Sequence, residues 1–591
     1  MKSPILALAA TLAINLAAHA TEPAARPGDG ALTPLESYVQ TPDPAYQFSL
    51  VDTVPLGDAT AYVLLMDSQR WRSDTEVDRT LWTHQMLIVA PSQIAVDTAL
   101  LIIDGGSDPL DAVDPFILLT AATLATQTQS VVAAVSQIPN QPLLFSDEPQ
   151  AIREDALVAY SWNKAAETGE PEWAAYLPMT KAAVRALDTV QSFVDTTIAG
   201  ATINDFVVTG FSKRGATAWL TAAADPRVRA VAPGVFDVLD IPLQIERHFR
   251  SYGFYAPAVQ DYVTYGIVDI GRSPEGRFLA TVVDPLSYAK LLAMPKFLLN
   301  STGDQFFLPD AATFYAGDLP GETLIYQIPN TDHGFANGTE DALNALVGWY
   351  GAILSDTPRP SVSWELDANG ALIVESNPPA TAATLWQATN PAARDFRLEE
   401  IGAVWTDAPL AEAAPGRYEI EVPAPAEGFT GYLAVLDFAD SGQRYSTPVF
   451  ITPDTLPFAL DDPLLTPRRP WYWRCQVRAQ APCPQPDYLP AEVEALLPVA
   501  VLGEYQTTLE QLDETLRYAN DTEQRARRAC AAVRLNIAAG ELGWYSAVPA
   551  IGDELAWQVY EQAEASAADG DFRTAARLCQ SLNSQRREDS E

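Results

Sequence analysis

One stretch of the chain, Asp205–Ala223, combines a strand pattern, a glycine-flanked serine and a helix pattern. It reads D-F-V-V-T-G-F-S-K-R-G-A-T-A-W-L-T-A-A. The β-branched and aromatic run Phe206–Thr209 predicts a buried strand, and the alanine-rich run from Gly215 predicts a helix. A serine on such a sharp strand-to-helix turn exposes its hydroxyl to a base. The stretch therefore predicts Ser212 as a nucleophile.

The motif G-F-S-K-R-G around Ser212 resembles the nucleophile elbow of α/β-hydrolases, with one departure. Arg214 stands where the usual G-x-S-x-G has its last glycine, and the glycine follows one position later. The backbone N–H of Lys213, at the start of the helix, is a predicted oxyanion donor. The loop at Gly105 and Gly106 is the predicted second donor, because glycine lets the backbone approach a substrate closely. An ordinary turn with a capping serine is the alternative.

A nucleophilic serine needs a base and a carboxylate that orients the base. His333 follows the predicted strand Thr323–Ile328, and Asp304 follows the predicted strand Lys296–Asn300. The chain order serine, aspartate, histidine is that of α/β-hydrolases. We therefore predict Ser212, Asp304 and His333 as a catalytic triad.

Other residues of suitable type remain as alternatives. His84 precedes an early strand, where a structural role is expected, and His248 lies in a segment that does not follow the sheet pattern. Asp310 and Asp237 are the alternative acids, because both lie in turns that follow predicted strands. Any single acid in so acidic a chain is also consistent with a solvated loop carboxylate.

Other chemistry has less support in the sequence. The tetrapeptide from Ser161 to Lys164 fits S-x-x-K, but no K-T-G or K-S-G accompanies it. The chain has no H-E-x-x-H, no C-x-x-C, no P-loop and no G-x-G-x-x-G. We therefore expect no metal and no cofactor.

The first part of the chain predicts an α/β fold. Apolar runs such as Leu100–Ile103 and Ser130–Val135 alternate with helix patterns such as Lys181–Val194, after a start rich in strand patterns. The expected architecture is an α/β-hydrolase-type, mostly parallel sheet over residues 36–356. An aromatic-rich segment at about 240–284 interrupts the alternation and predicts an inserted helical cap.

The pattern changes after Asp356. Short alternating strands separated by turn residues predict a small β-sandwich domain over residues 357–455. Residues 456–490 are Pro-rich and predict a linker. A periodicity of 3.6 residues predicts a C-terminal helical bundle over residues 491–591.

The first 20 residues have the pattern of a signal peptide. Lys2 is followed by an apolar run that is too short to span a membrane, and then by Ala18-His19-Ala20. Residues 21–35 are rich in proline and alanine and predict a mobile lead-in. We therefore expect an exported protein, periplasmic or secreted, without a membrane span.

Four cysteines would meet an oxidising compartment after export. Cys475 and Cys483 are close together in the Pro-rich linker, whereas Cys530 and Cys579 lie on separate predicted helices. We predict disulfides between the members of each of these pairs, out of three possible pairings. Four free thiols are the alternative.

The charge of the chain restricts its partners. Its 591 residues include 76 acidic and 37 basic side chains, for a net charge of −39. Such a charge disfavours nucleic acid and anionic membrane surfaces. We expect a small-molecule or peptide substrate, and the C-terminal helical domain offers a surface for a protein partner.

Several motifs resemble the PhoPQ-activated pathogenicity-related protein family. They include Gln137-Ile-Pro-Asn-Gln-Pro-Leu, Thr209-Gly-Phe-Ser-Lys-Arg-Gly, Ser301-Thr-Gly-Asp-Gln-Phe-Phe and Leu385-Trp-Gln-Ala-Thr-Asn-Pro-Ala-Ala-Arg-Asp-Phe-Arg-Leu. The resemblance covers roughly Leu35 to Phe458. It implies an α/β-hydrolase-like fold and a link to virulence regulation and resistance to antimicrobial peptides. The family's Ser-Lys-Arg-Gly, Gly-Asp and Asn-x-x-His motifs fall on Ser212, Asp304 and His333.

The sequence therefore predicts an exported serine hydrolase, of the esterase or peptidase type. Ser212 attacks a carbonyl, His333 takes and returns the proton, and Asp304 orients the imidazole. The alternative is a non-catalytic binding protein on a hydrolase scaffold.

Overall fold

A long β-sheet with helices on both faces is built from strands and helices that lie between residues 34 and 354. The computed structural model of the protein describes residues 32–107, 113–460, 467–478, 488, 490–517, 521–548 and 554–584. The strands of this first part are β1 (Gln47–Pro55), β2 (Ala59–Arg70), β3 (Leu81–Pro91), β4 (Thr98–Ile103), β5 (Val132–Val135), β6 (Asp205–Phe211), β7 (Val228–Gly234), β8 (Lys296–Ser301) and β9 (Thr323–Ile328). Its helices are α1 (Pro34–Gln40), α2 (Pro115–Thr128), α3 (Glu154–Thr168), α4 (Tyr176–Thr197), α5 (Lys213–Ala224), α6 (Ile241–Tyr252), α7 (Gln260–Thr264), α8 (Ile267–Ile270), α9 (Pro274–Val283) and α10 (Thr339–Leu354).

The order of these strands across the sheet is β1-β2-β3-β5-β4-β6-β7-β8-β9. β1, β2 and β3 pair antiparallel, as do β3 and β5, whereas all pairs from β5 to β9 are parallel. Every residue of β4, β5 and β8 is buried, because helices cover both faces of the parallel part. From β2 to β9 this is the strand order of an α/β-hydrolase, and the predicted fold class is confirmed.

A helical cap is inserted between β7 and β8. It consists of α6 to α9, together with 3₁₀ segments at Pro257–Val259 and Pro285–Leu291. Asp240 caps the first of these helices by accepting a hydrogen bond from the N–H of Leu243. The insertion places this group of helices over the ends of the parallel strands, where the predicted site residues lie.

The next part of the chain forms two β-layers rather than an isolated sandwich. Its elements are β10 (Ser361–Leu366), β11 (Leu372–Asn377), β12 (Ala382–Asn390), α11 (Leu398–Ile401), β13 (Thr406–Pro409), β14 (Arg417–Ile420), β15 (Phe429–Phe438), β16 (Gln443–Ser446) and β17 (Phe450–Thr452). β10, β11 and β14 form a separate three-stranded sheet, whereas β16 pairs with β9 at Ser446 and Ile325. The larger layer is therefore a continuation of the main sheet, which the short alternating strands did not predict.

The C-terminal part has a hydrophobic core of its own. Its elements are α12 (Pro470–Arg478), α13 (Pro490–Glu494), β18 (Val499–Val501), β19 (Glu504–Gln506), α14 (Leu509–Thr515), α15 (Thr522–Ala538), β20 (Ala547–Val548), β21 (Glu554–Leu555), α16 (Ala556–Ala568) and α17 (Phe572–Leu582). The core packs around the fully buried Trp473 and Tyr560. The helical bundle thus includes two small hairpins and begins at α12, inside the segment predicted as a linker. Proline at the first helical position, here Pro470, is compatible with a helix start.

A disulfide joins α15 to α17 within this core. Cys530 and Cys579 are bonded, with their Cα atoms 5.0 Å apart. Cys475 is also disulfide-bonded, and Cys483, its predicted partner, lies outside the described residues. The predicted signal peptide and nearly all of the predicted lead-in lie outside them as well. Among the described residues, no helix combines the length and the apolar character that crossing a membrane requires.

The C-terminal part packs directly on the cap. Glu275 of α9 accepts a hydrogen bond from the N–H of Ala500 at 3.0 Å and forms an ion pair with Arg534. On the same helix, Arg277 pairs with Glu564. The cap is therefore held between the main sheet and the C-terminal helices.

Candidate active site

Ser212 occupies a strained turn between β6 and α5. Its backbone angles, φ 57° and ψ −129°, lie in a region that residues other than glycine rarely adopt. A Cβ atom on Gly210 would lie 2.5 Å from the carbonyl oxygen of Arg214, and one on Gly215 would lie 2.8 Å from that of Gly234. Glycine is therefore required on both sides of the serine, and the shifted position of the second glycine is compatible with a tight elbow.

Asp304 and His333 meet at the same edge of the sheet. They lie on the loops that follow β8 and β9, and Nδ1 of His333 is 2.8 Å from Oδ2 of Asp304. Oδ1 of the aspartate also accepts the N–H of Phe306 at 2.7 Å. The N–H of His333 donates to the side chain of Gln305 at 2.9 Å. The hydrogen bonds fix both the carboxylate and the loop that carries the imidazole.

Aromatic side chains connect the histidine to the serine turn. The ring centroids of Phe306 and Phe307 lie 4.3 and 5.7 Å from that of His333. Phe211, next to the serine, packs edge-on against Phe335 at 5.9 Å. Nε2 of His333 is buried and has no hydrogen-bond partner among the residues that the structure describes. The second nitrogen of the imidazole is thus available for a proton.

The two alternative histidines have structural roles. His84 is fully buried, with its ring nitrogens 2.9 Å from the hydroxyl of Ser68 and 3.1 Å from the carbonyl oxygen of Ser136. His248 accepts the N–H of Ala256 on Nε2 at 3.0 Å. Burial lowers the pKa of His84 to about 4 and that of His248 to about 3. Both rings are therefore neutral near pH 7 and already bonded within the fold.

The alternative acids do not contact a histidine that could act as a base. Asp310 binds Arg394 at 2.7 Å and Arg247 at 3.0 Å. Burial raises the pKa of Asp310, but the two arginines outweigh burial and lower it. Asp237 accepts the hydroxyl of Tyr315 at 2.6 Å, and burial raises its pKa to about 8. Asp310 is thus a buried ion-pair centre, and Asp237 is a protonated acid at neutral pH.

Ser212 opens into a small cavity of about 90 Å³ between the sheet and the cap. Most of its lining is apolar or aromatic: Trp162, Tyr176, Phe236, Val238, Ile241, Ile245, Tyr255, Val259, Tyr262, Ile267, Val268, Phe306, Phe307 and Leu308. Its polar lining consists of Asp155, Ser212, Lys213, Asp237, Gln244 and His248. A cavity of this size and character suits a small apolar group next to the serine hydroxyl.

The charged residues at the cavity neutralise one another. Nζ of Lys213 is buried and lies 3.0 Å from a carboxylate oxygen of both Glu154 and Asp155. Asp155 also accepts the hydroxyl of Tyr262 from the cap at 3.0 Å. Glu154 and Asp155 were not predicted as site residues, because they precede the serine by almost sixty residues and belong to no motif around it. Lys213 and Asp155 are the ion pair of the lining, and burial raises the pKa of Asp237 to about 8, which favours its neutral form at pH 7.

The predicted oxyanion donors lie on two neighbouring segments. Lys213 is the first residue of α5, whose N-terminal N–H groups are free of helical partners. Gly105 and Gly106 follow β4, and Gly106 has a φ of 120°, which favours glycine. The described part of their loop ends at residue 107.

The S-x-x-K motif does not form a catalytic pair. The hydroxyl of Ser161 donates to the carbonyl oxygen of Val158 at 2.7 Å, and Nζ of Lys164 binds Asp147 at 2.5 Å. The described ranges contain no group of three or more histidine, cysteine, aspartate or glutamate side chains arranged to hold a metal ion.

Comparison with known proteins identifies relatives over most of the chain. The sequence profile of the family described as PhoPQ-activated pathogenicity-related protein matches residues 35–397. Autocrine proliferation repressor protein A of Dictyostelium discoideum is 31% identical over 455 residues, covering 72% of this chain and 92% of that protein. Acetyl xylan esterase from a Paenibacillus species matches 53% of this chain and 91% of its own, with 16% identity and a TM-score of 0.39. Acetyl xylan esterase 1 from a Thermoanaerobacterium species matches 54% and 91%, with 15% identity and a TM-score of 0.37.

Proposed function

The chain belongs to the PhoPQ-activated pathogenicity-related protein family, and on that premise we propose that it is a serine hydrolase of the esterase or peptidase type. The observation that carries the proposal is the hydrogen bond between His333 and Asp304 at the sheet edge that also holds the strained Ser212. Serine, base and orienting carboxylate follow strands β6, β9 and β8, as the order of an α/β-hydrolase requires.

In the proposed reaction, Oγ of Ser212 attacks the carbonyl carbon while Nε2 of His333 takes the hydroxyl proton. Asp304 accepts the Nδ1 hydrogen and stabilises the imidazolium that forms. The N–H of Lys213 and the Gly105–Gly106 loop stabilise the oxyanion. His333 then returns the proton to the leaving alcohol or amine, and water releases the acyl group from Ser212 by the same steps in reverse.

The lining of the cavity favours a small, uncharged acyl group as the part of the substrate that lies next to the serine. Its lining is mainly apolar, and its acidic residues are either paired, as is Asp155, or protonated, as is Asp237. A charged group at this position would lose its hydration without gaining a partner. In the proposed reaction, the leaving group is an alcohol or an amine.

Export of the protein to the periplasm or the medium is part of the proposal. It is supported by the predicted signal peptide at residues 1–20 and by the Cys530–Cys579 disulfide, because disulfides persist mainly in oxidising compartments. In such a location, a hydrolase fits the family's link to virulence regulation and resistance to antimicrobial peptides. Fractionation of cells that express the full chain tests this part.

A second candidate function is that of a non-catalytic regulator. It is suggested by the name of one relative, autocrine proliferation repressor protein A, which refers to repression of proliferation. In that case, the cap, the β-layers and the C-terminal helices would serve as binding surfaces.

Turnover of p-nitrophenyl acetate and butyrate by the purified protein, beside Ser212→Ala, decides between the two. We expect hydrolysis by the wild type and a loss of at least ~10³-fold in the variant. Equal rates in the two proteins would favour the regulator.

A further inference from the structure

Arg214 is the one departure of this serine turn from the usual motif, and each of its three guanidinium nitrogens donates a hydrogen bond. Its Nη1 and Nη2 donate to the two carboxylate oxygens of Glu154, both at 2.9 Å. Its Nε donates to the carbonyl oxygen of Ile138 at 2.5 Å. A guanidinium in this fork geometry restricts both position and orientation. Arg214 thus links the serine turn to two segments far away in the sequence.

The guanidinium also lies directly against the predicted oxyanion loop. A Cβ atom on Gly105 would be 2.9 Å from Nη2 and 3.1 Å from Cζ of Arg214. A side chain at position 105 would meet the tip of Arg214, which the hydrogen bonds to Glu154 and Ile138 hold in place. The backbone of Gly105 and the guanidinium of Arg214 are therefore in direct contact.

The segments that hold Arg214 hold the same loop from its other side. The carbonyl oxygen of Gly105 accepts the N–H of Gln137 at 2.7 Å. The carbonyl oxygen of Gly106 accepts a hydrogen bond from Nε2 of Gln141 at 2.9 Å. The N–H of Glu154 donates to Oε1 of Gln141 at 2.6 Å. The loop, the 137–141 segment and Glu154 therefore form one hydrogen-bonded unit with the guanidinium.

The backbone of Glu154 is strained and its carboxylate is ionised, as an anchor for Arg214 requires. Its φ of 52° is rarely adopted by residues other than glycine, and such strain persists only where the surroundings enforce it. Burial raises the pKa of its carboxyl, but Arg214 and Lys213 outweigh burial and lower it to about 2. Glu154 is therefore ionised at any pH at which the protein would work.

We propose that Arg214, anchored by Glu154, is a positioning residue that sets the Gly105–Gly106 loop relative to the N–H of Lys213. The proposal rests on the function proposed above. Oxyanion donors act only when they are placed within a fraction of an ångström of the developing charge. In this protein, the arginine at the usual glycine position fixes the distance between the two donor segments.

The test measures kcat and KM of the full chain for p-nitrophenyl acetate with Arg214→Lys, Arg214→Gly and the double variant Arg214→Met/Glu154→Gln. The double variant removes both charges, and Lys213 keeps Asp155 as its partner, so that the fold should be retained. We expect kcat to fall about 10- to 100-fold in Arg214→Gly and in the double variant, with KM changed less than about threefold, because oxyanion contacts strengthen in the transition state. Arg214→Lys should recover part of the loss. Arg214→Gly is the sharpest variant, because it restores the usual motif and is still expected to be slow.

Arg359 and Glu322 provide a matched control. Their side chains are 14% and 32% exposed, against 12% and 34% for Arg214 and Glu154. Nε of Arg359 lies 2.6 Å from a carboxylate oxygen of Glu322, and neither residue lines the cavity. Arg359→Met/Glu322→Gln should keep the wild-type kcat. Folded Arg214 variants with wild-type kcat would overturn the inference while the hydrolase function stands. A fall in kcat that the control pair reproduces would overturn it as well. A wild type that does not hydrolyse the ester would overturn both proposals.

Discussion

Nδ1 of His333 lies 2.8 Å from Oδ2 of Asp304, whereas the neighbouring Asp310 is bound by two buried arginines. The two acids are six residues apart in the sequence and have opposite roles. The first faces a histidine whose second nitrogen has no partner in the described structure. The second neutralises guanidinium groups that connect the cap to the β-layers. Substitution of Asp304 should therefore impair catalysis, whereas substitution of Asp310 should impair the stability of the fold.

Asp304→Asn should lower kcat by about 10³- to 10⁴-fold while the protein stays folded, because an amide does not hold the imidazole in the tautomer that accepts the serine proton. Asp310→Asn should instead cost about 3–5 kcal/mol of stability, since Arg247 and Arg394 would remain buried without a counter-charge. Ester kinetics together with urea unfolding of both variants checks this pair of outcomes. Loss of stability in Asp304→Asn with unchanged kcat would assign the triad acid elsewhere.

The buried carboxyl of Asp237 predicts a pH dependence of stability. Its pKa is raised to about 8 by burial, against about 4 in an unfolded chain. The folded state therefore binds the proton more tightly, and this contribution to stability is full below about pH 4 and is lost as the pH rises through about 8. The slope is at most about 1.4 kcal/mol per pH unit.

Asp237→Asn should remove that slope, because the amide is neutral at every pH and its oxygen still accepts the hydroxyl of Tyr315. The measurement is the free energy of unfolding in urea between pH 5 and pH 8 for wild type and variant. Effects of other groups, such as Asp284 with its pKa raised to about 7 by burial, cancel in the difference. Parallel curves would show that Asp237 is ionised in the folded protein.

The aromatic residues of the cap divide into two groups with different expected effects. Tyr255 and Tyr262 line the cavity, whereas Tyr252 does not line it and packs in a small core with Ala256 and Ala311. Tyr255→Ala and Tyr262→Ala should raise kcat/KM for longer acyl esters relative to acetate, because they enlarge the cavity. Tyr252→Ala should lower stability by about 3 kcal/mol without changing this ratio. An unchanged ratio in the first two variants would mean that the cap does not contact the acyl group.

The Cys530–Cys579 disulfide closes a long loop within the C-terminal core. The two residues are 49 positions apart, so that the chain-entropy model gives about 4 kcal/mol of stabilisation. Replacing both cysteines with serine should lower the free energy of unfolding of the C-terminal part by about this amount, and its unfolding temperature should fall accordingly. Peptide mapping without reduction checks the pairing itself, including the predicted bond from Cys475 to Cys483. A peptide that links Cys475 to Cys530 would contradict it.

The elements nearest the serine follow closely from local sequence. The strand before Ser212 and the turns that carry Asp304 and His333 are defined by apolar runs and by the residues directly after them. Contacts between distant segments do not follow in this way. Glu154 meets Arg214 across sixty residues, and β16 joins β9 across more than a hundred. Periodicity describes one face of one element and carries no information on which distant element will cover it.

Covalent labelling tests whether Ser212 is a nucleophile that His333 activates. The full chain is incubated with a fluorophosphonate, and its intact mass is measured beside Ser212→Ala and His333→Ala. We predict one adduct on the wild type, mapped to Ser212, and we expect neither variant to be labelled at a comparable rate. An unlabelled wild type, or an adduct that persists in Ser212→Ala, would contradict this prediction.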